Sequence, residues 1–294
     1  MDVPAGLAGS ASSPAACVPS PIEEVRDERL GAVRLLLKRD DLIHPEISGN
    51  KWRKLKYNPR SGRVLTFGGA YSNHIRAVAA AGAAYGFETI GVIRGEEHLP
   101  LNPSLAYAVG RGMRLTYLDR TAYRSKHTPE VIDALRVEFG DFHLLPEGGS
   151  NAAAVRGCAE IPPELDTQLD GGYDLVCCPV GTGGTLAGIA AGLPPGREAV
   201  GFSVLKGGEF LTGEVARLQR EGLGRVTGGW RVECGFHFGG YARSTPELDA
   251  FASDFAVRHG LLLDRIYVAK MMYGVYALAR DLAPGTVVVA VITG

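Results

Sequence analysis

Leu175-Val176-Cys177-Cys178-Pro179-Val180-Gly181-Thr182-Gly183-Gly184-Thr185-Leu186 runs from an apolar stretch through a glycine turn into a helix-forming segment. A short apolar run that ends at glycine reads as a buried strand, here 175 to 178, and Leu186, Ala187 and Ile189 open the helix that follows. Strand, glycine turn and helix in this order are the unit from which open parallel sheets are assembled. Successive glycines let backbone N–H groups converge on an anion at a helix start, where the dipole also favours negative charge. Thr182 and Thr185 add hydroxyl donors, so the turn reads as a cup for a single phosphate.

Two commoner glycine loops do not fit. A dinucleotide fingerprint would need glycine at 186, which is Leu186, and the end of the next strand, Val204-Leu205-Lys206, lacks the acidic residue that takes a ribose. A nucleoside-triphosphate loop would need Gly-Lys-Ser/Thr, where this chain has Leu186-Ala187-Gly188. A bare strand-to-helix turn would explain one or two glycines, not this density with flanking threonines.

Outward from the cup the alternation continues in both directions. Downstream come the strand Ala199 to Val204, a helix near Glu209 to Glu221, the strand Trp230 to Cys234, and helices near Pro246 to His259 and Ala269 to Asp281. The run Thr286 to Ile292 is almost wholly β-branched and suits a central strand buried on both faces. A hydroxyl, Thr293, stands at its carboxyl end, where ligands gather in such sheets; an ending so close to the strand also points to a short missing tail. Upstream, Asn151 to Glu160 reads as helix. Arg63 to Phe67, Thr89 to Ile93, Met113 to Leu118 and Phe142 to Leu145 read as strands, linked by helices at Asn73 to Tyr85, Asn102 to Gly110 and Pro129 to Glu138. The expectation is an α/β protein of two open parallel-sheet, three-layer domains. A small domain, 58–145, is inserted into a larger one built from 21–57 plus 146–294, and residues 1–20, rich in Ala, Ser, Pro and Gly, form a mobile leader.

Before the small domain, Leu35-Leu36-Leu37 reads as a short strand, and past a turn at His44-Pro45-Glu46 comes Ser48-Gly49-Asn50-Lys51-Trp52-Arg53-Lys54-Leu55, a glycine turn leading into an amphipathic run. Lys51 thus follows a strand and a loop, where ligands lie in open sheets. Partial burial beside Trp52 would keep its amine neutral often enough to attack an aldehyde. Taken alone, a solvated lysine at a helix start is the commoner case, so support has to come from other motifs.

Composition narrows the field. The 294 residues are 46% hydrophobic and 21% charged, ample for two cores, and 31 Lys plus Arg nearly balance 32 Asp plus Glu. No basic run is long enough to recruit nucleic acid, and the longest apolar run falls short of a membrane span. The N-terminal stretch lacks the charged start and apolar core of a signal peptide. Five cysteines, Cys17, Cys158, Cys177, Cys178 and Cys234, show no CxxC spacing, which argues against a disulfide framework or a zinc site and for a reducing cytoplasm. No metal site is expected, and no GxSxG, HExxH or paired-carboxylate pattern points to a hydrolase.

Two further glycine loops sit at strand-to-helix junctions. In Gly68-Gly69-Ala70-Tyr71-Ser72-Asn73-His74 the oxygens of Ser72 and Asn73 can cap the helix, while its free N–H groups, a hydroxyl, an amide and an imidazole suit a substrate carboxylate. Glu147-Gly148-Gly149-Ser150-Asn151 is most economically structural. Tyr241 after Gly239-Gly240, and Tyr267 after a strand signal, could reach a cleft, although buried tyrosines are most often core residues.

Taken in order, Gly49 to Leu55, Gly68 to His74, Glu147 to Asn151, Val180 to Thr185 and Ile292-Thr293-Gly294 resemble the landmarks of pyridoxal-phosphate enzymes of the tryptophan-synthase-β-like fold type, fold type II. The closest resemblance is to the branch containing 1-aminocyclopropane-1-carboxylate deaminase and D-cysteine desulfhydrase, and it extends from about Leu35 to Gly294. It implies pyridoxal 5'-phosphate as cofactor, a small amino acid as substrate and a homodimer as assembly. Lys51 looks like the Schiff-base lysine. Asn73 looks like the residue beside the ring, with Ser72 and His74 joining it around the substrate carboxylate. Gly181, Thr182, Gly183, Gly184 and Thr185 match the phosphate loop, Tyr241 and Tyr267 match two active-site tyrosines, and Thr293 matches the group facing the pyridine nitrogen.

The departures bear on activity. Cyclopropane deaminases carry a glutamate after the second tyrosine and a leucine at the C-terminal position; here those places are Val268 and Thr293. A hydroxyl partner makes the ring a weaker electron sink, enough for β-elimination and less suited to opening a ring without an α-hydrogen. Tyr71 stands where both relatives have glutamine, and Val268 where the desulfhydrases have a small hydroxyl residue, so the pocket can differ from either. The expected function is that of a pyridoxal-phosphate-dependent lyase or deaminase, D-cysteine desulfhydrase-like, releasing a 2-oxo acid and ammonia. The alternatives are ring-opening deamination and a catalytically weak phosphate- or cofactor-binding homologue.

Overall fold

The computed structural model describes residues 16–60 and 62–294. The leader expected over 1–20 lies outside the described residues as far as 15. Its remainder is packed: the Cys17 N–H donates to the Ile43 carbonyl at 2.8 Å, and the fully buried Ser20 hydroxyl donates to Asp40 at 2.7 Å.

In chain order the strands are β1 (Ile22–Val25), β2 (Arg34–Lys38), β3 (Arg63–Gly68), β4 (Glu88–Arg94), β5 (Arg114–Leu118), β6 (His143–Leu145), β7 (Leu175–Val180), β8 (Glu198–Ser203), β9 (Trp230–Glu233) and β10 (Val287–Val291). The helices are α1 (Asn50–Lys56), α2 (Asn73–Tyr85), α3 (Pro103–Gly110), α4 (Arg120–Arg124), α5 (Pro129–Phe139), α6 (Ala152–Cys158), α7 (Ile161–Leu169), α8 (Gly184–Gly192), α9 (Leu211–Leu223), α10 (Pro246–His259) and α11 (Val268–Leu278). A six-stranded sheet has the order β1-β2-β10-β7-β8-β9, parallel except for β1, and a four-stranded parallel sheet has the order β5-β4-β3-β6.

Because side chains alternate across a strand, each strand of a sandwiched sheet feeds two cores. Leu35, Leu37, Cys177, Val288 and Ala290 pack against α10 and α11 through Leu248, Phe255, Met271 and Val275. Their neighbours Leu36, Val176, Cys178, Val289 and Val291 pack against Val155, Ile161, Leu186, Ile189 and Leu218 on the opposite face. The small sheet repeats the arrangement, with Val64 and Ile93 facing α2 and α3 and with Leu65, Phe67, Ile90 and Val92 facing α4 and α5. Both units are three-layered, as expected. The sequence reading omits β1, which is short and half exposed, α4, a helix of five residues, and α7, whose Pro162-Pro163 pair suggests a break but sits in the first helical turn, where proline loses no hydrogen bond.

Helix α1 departs from the amphipathic run read in the sequence. Asn50, Trp52, Arg53, Lys54 and Leu55 are all buried, with Trp52 and Leu55 in the core of the small sheet. On the other side α1 meets α6 so closely that a Cβ on Gly157 would lie 2.0 Å from the Arg53 carbonyl oxygen. The polar residues are tolerated because they are paired. Arg53, with no exposed surface, donates to Asp40 from Nε and Nη2 at 2.7 and 2.8 Å and to Glu164 from Nη1 and Nη2 at 2.8 Å each. Lys38 adds a 2.9 Å ion pair to Glu164. The turn into α1 is equally constrained, since Gly49 has φ 50° and a Cβ there would fall 1.9 Å from the Thr293 carbonyl oxygen.

Truncating Arg53 leaves the fully buried Asp40 carboxylate without its cation and removes one of the two held by Glu164, so Arg53→Met is expected to cost about 3–5 kcal/mol. A urea denaturation midpoint equal to that of the parent protein would contradict this anchoring of α1.

Candidate active site

A cavity of about 840 Å³ opens between the two sheets and is lined by Lys51, Ser72, Asn73, His74, Gly181, Thr182, Gly183, Thr185, Tyr241, Tyr267 and Thr293. Of the residues expected at the site, Gly184 alone is set back from the wall, under Ser150, whose Oγ lies 2.6 Å from where a Cβ on Gly184 would stand. The segments after β2, β3, β7 and β10 bring all of these groups but the two tyrosines to the carboxyl ends of the strands, where open α/β sheets bind ligands. Tyr241 arrives from the segment after β9 and Tyr267 from the turn between α10 and α11.

Lys51 lies in the first turn of α1 with its Nζ 3.1 Å from Asn50 Oδ1. Burial, reinforced by the positive charge of Lys54, lowers its amine to about pKa 7. Asn50 in turn donates from Nδ2 to Thr185 Oγ1 at 2.8 Å, tying the lysine to the glycine cup. A parallel link runs from Lys54, whose Nζ donates to the Gly148 carbonyl and to Ser150 Oγ, both at 3.1 Å, while Ser150 Oγ and Thr182 Oγ1 lie 2.6 Å apart. The cup thus carries a buried cation as well as its N–H groups. Gly183 caps α8 with φ 82°, a left-handed conformation that glycine adopts without strain.

Asn50, Lys54 and Ser150 escape the sequence reading. The spacing of Lys51 and Lys54, three apart and hence on neighbouring helix positions, is the one local signal that could have shown them together. The Glu147–Asn151 loop, read as structural, supplies Ser150 and Asn151 to the wall.

Ser72 caps α2 by accepting the Ile75 N–H at 3.4 Å, and Asn73 Nδ2 lies 3.5 Å from the Gly294 carbonyl oxygen. The His74 ring is turned away from the role expected for it. Thr66 Oγ1 donates to the Leu145 carbonyl at 2.8 Å and so accepts from His74 Nε2 at 2.8 Å, which leaves Nδ1 an acceptor, buried and without a partner. Burial, with the charges of Lys51 and Lys54, holds this imidazole neutral, well below its usual range. A neutral ring with an acceptor lone pair offers no donor to a carboxylate.

Tyr241 and Tyr267 meet edge to face, 6.0 Å between ring centroids at 71°. Tyr267 sits at the start of α11, where Asp264 accepts the N–H groups of Ile266, Tyr267 and Val268 at 2.8–3.0 Å. Its ring lies against Gly181, where a Cβ would come within 3.2 Å. Burial, with Tyr241 adding to it, raises the Tyr267 phenol well above its ordinary range, so it stays a proton donor. The loop before Tyr241 is clamped by the fully buried Lys270, which donates to the carbonyls of His237 and Gly240 at 2.9 and 2.7 Å. At the end of β10 the buried Thr293 lines the cavity, while Val268, the first residue of α11, is packed in the core.

These residues fit pyridoxal phosphate. A half-buried lysine with a lowered pKa would suit its aldehyde, a glycine cup with threonines and the buried Lys54 would suit its monoester, and a close glycine leaves room against Tyr267. Fold and site together define a pyridoxal-phosphate enzyme of the tryptophan-synthase-β-like fold type. The chain belongs to the family described as pyridoxal-phosphate dependent enzyme, whose model matches residues 15–294. Within it the relatives are of the 1-aminocyclopropane-1-carboxylate deaminase and D-cysteine desulfhydrase group, and the activity is that of a pyridoxal-phosphate-dependent lyase or deaminase. A Pyrococcus horikoshii protein, provisionally named a 1-aminocyclopropane-1-carboxylate deaminase, is 30% identical over 272 residues, 88% of this chain and 83% of its own length. The mitochondrial bifunctional D-cysteine desulfhydrase/1-aminocyclopropane-1-carboxylate deaminase of Arabidopsis thaliana is 29% identical over 266 residues, 82% of this chain and 66% of its own. The crystal structure of an ACC deaminase homologue superposes with a TM-score of 0.83 at 27% identity, covering 96% of this chain and 91% of the other.

A lysine that loses its proton near pH 7 combines with aldehydes well below the pH an ordinary lysine needs. Uptake of pyridoxal by cofactor-free protein is expected to rise through pH about 7. In Lys54→Met the midpoint moves upward, because a neighbouring positive charge is gone. Visible absorbance against pH measures both, and a midpoint near that of free lysine would refute the burial of Lys51.

Proposed function

We propose that this chain deaminates a small amino acid carrying a leaving group on Cβ, by α-proton abstraction and β-elimination in the manner of a D-cysteine desulfhydrase. The observation that carries this reading is the chemistry at the end of β10. Thr293, whose side chain is uncharged, lines the cavity, and Val268, where a carboxylate would stand in a ring-opening enzyme, is 2% exposed and part of the core. A neutral partner at the pyridine nitrogen suits elimination from a substrate with an α-hydrogen.

Lys51 would hold the cofactor's aldehyde, and Gly181 to Thr185 with Lys54 its phosphate. When bound, pyridoxal phosphate supplies the electron sink for the charge left on Cα. The N–H groups at the start of α2, with Ser72 and Asn73, orient the substrate carboxylate. The Lys51 amine, released when the substrate amine takes its place and in good part neutral near pH 7, would take the α-proton. The protonated Tyr267, with Tyr241 against it, is placed to give a proton to a departing group. Water then converts the unsaturated product to a 2-oxo acid and ammonia. The division into 58–145 and 21–57 plus 146–294 belongs to the same proposal and is drawn along the two sheets, with α1 as the seam. So does a cytoplasmic homodimer, the compartment being supported by five unpaired cysteines.

Ring opening is the second reading, and the names of the relatives lean towards it. The Pyrococcus horikoshii protein is provisionally named for that reaction, and the Arabidopsis thaliana protein is named for both.

Release of 2-oxo acid from D-cysteine, β-chloro-D-alanine and 1-aminocyclopropane-1-carboxylate separates the two. The first two are expected to turn over, and the cyclopropane at least about 100-fold more slowly; comparable rates on all three would replace elimination with ring opening. Lys51→Ala is expected to lose at least about 10³-fold in rate.

A further inference from the structure

Beside the cavity lies a second recess of about 450 Å³, enclosed by Arg94 at the end of β4, by Arg120, Tyr123 and Arg124 of α4, and by Lys126 and Glu147. Four cations face one carboxylate there. Glu147 is paired with Lys126 at 3.2 Å, whereas Arg94, Arg120 and Arg124 have no carboxylate partner among the described residues. Gathering like charges without counter-charge opposes folding unless something repays it.

Two further observations distinguish this recess from an ordinary solvated basic face. Tyr123, only 3% exposed, carries a hydroxyl that makes no well-formed hydrogen bond among the described residues, with the Glu147 carboxylate close by as its one candidate acceptor, an expensive state for a buried donor. Its ring is flanked by the Lys126 ammonium at 4.6 Å and the Arg94 guanidinium at 5.9 Å from the centroid. Arg94, Lys126 and Glu147 also belong to the wall of the catalytic cavity, so the two spaces meet along that edge. Arg94 stands next to the loop leading to Ser72 and Asn73: a Cβ on Gly69 would be 3.6 Å from its Nη2.

Resting on the lyase reading above, we propose that this recess is a subsite for a second negative charge on the substrate, a carboxylate, sulfonate or phosphate borne by the β-substituent and received by Arg94 and its neighbours. A planar guanidinium binds such oxyanions through paired, charge-assisted hydrogen bonds. The subsite also serves the reaction. The substituent leaves with the electron pair of its bond to Cβ while the α-proton passes to Lys51, so negative charge accumulates on the side where the cations stand.

The test uses the holoenzyme. Ammonia release is measured from S-sulfocysteine, O-phosphoserine and O-succinylserine, and from the neutral β-chloroalanine and O-acetylserine, each in both enantiomers. The ratio of kcat/KM for anionic over neutral substrates is expected to be at least about tenfold. It falls towards one in Arg94→Gln and in Arg94→Gln/Arg124→Gln, recovers in part in Arg94→Lys, and declines with added salt. A wild-type ratio of one or below, or a ratio that neither variant moves, overturns the subsite while leaving the lyase reading intact. If no amino acid is turned over, the lyase reading fails, and calorimetric binding of O-phosphoserine against O-acetylserine decides the subsite. Tighter, Arg94-dependent binding of the anion supports it, and equal binding overturns it.

Discussion

The guanidinium of Arg53, sealed from solvent and divided between Asp40 and Glu164, is the constraint on which the site depends. It joins the turn after β2 to α7 and locks α1 between them. A helix of seven residues would be marginal in isolation, and this one carries four cationic side chains. It persists because Trp52 and Leu55 enter one core, Arg53 enters an ion-pair network, and Gly157 lets α6 approach. Lys51 is thereby held at a fixed height in the cavity, with Gly49 pressed against the last residues of the chain.

From that anchored helix two polar chains reach the phosphate cup, Lys51 through Asn50 to Thr185 and Lys54 through Ser150 to Thr182. Their effect is electrostatic as well as positional. The Lys54 charge adds to desolvation in making the Lys51 amine harder to protonate, and both amines add to the burial that keeps His74 neutral. An anion in the cup would relieve that repulsion, so occupancy of the cup and the protonation state of Lys51 are coupled. The protein thus stores, in the packing of α1, an electrostatic demand that a phosphate monoester meets.

The small sheet contributes differently. Its loops present Ser72, Asn73 and the cationic recess around Tyr123, none of which touches the cup. On the proposed reading, cofactor chemistry is gathered on the large sheet and recognition of the substrate carboxylate on the small one, with α1 as the seam. That division would let the substrate side vary, at Arg94 for example, without disturbing the amine or the phosphate grip, while Tyr71, 62% exposed, stands outside the cavity wall.

Much of this was legible in the chain alone. The cup could be read because a phosphate loop is local: strand, glycines and helix start are contiguous, and their period and composition report the geometry. The same holds for Ser72 as a cap of α2 and for Pro246–His259 as a helix. Residues whose role depends on distant partners left no such trace. Lys54 drew no reading of its own, the loop at Glu147 looked structural, and His74 looked free to bind, because the partners that decide each of them, Gly148 and Ser150 for the lysine, Thr182 for the loop, Thr66 for the imidazole, lie on other strands and turns. Sequence determined the elements, their order and the cofactor class through short-range pattern; only tertiary packing decided which polar groups are buried, which are paired and which remain free to meet a substrate, since desolvation and pairing are properties of neighbours that the chain brings together only when folded.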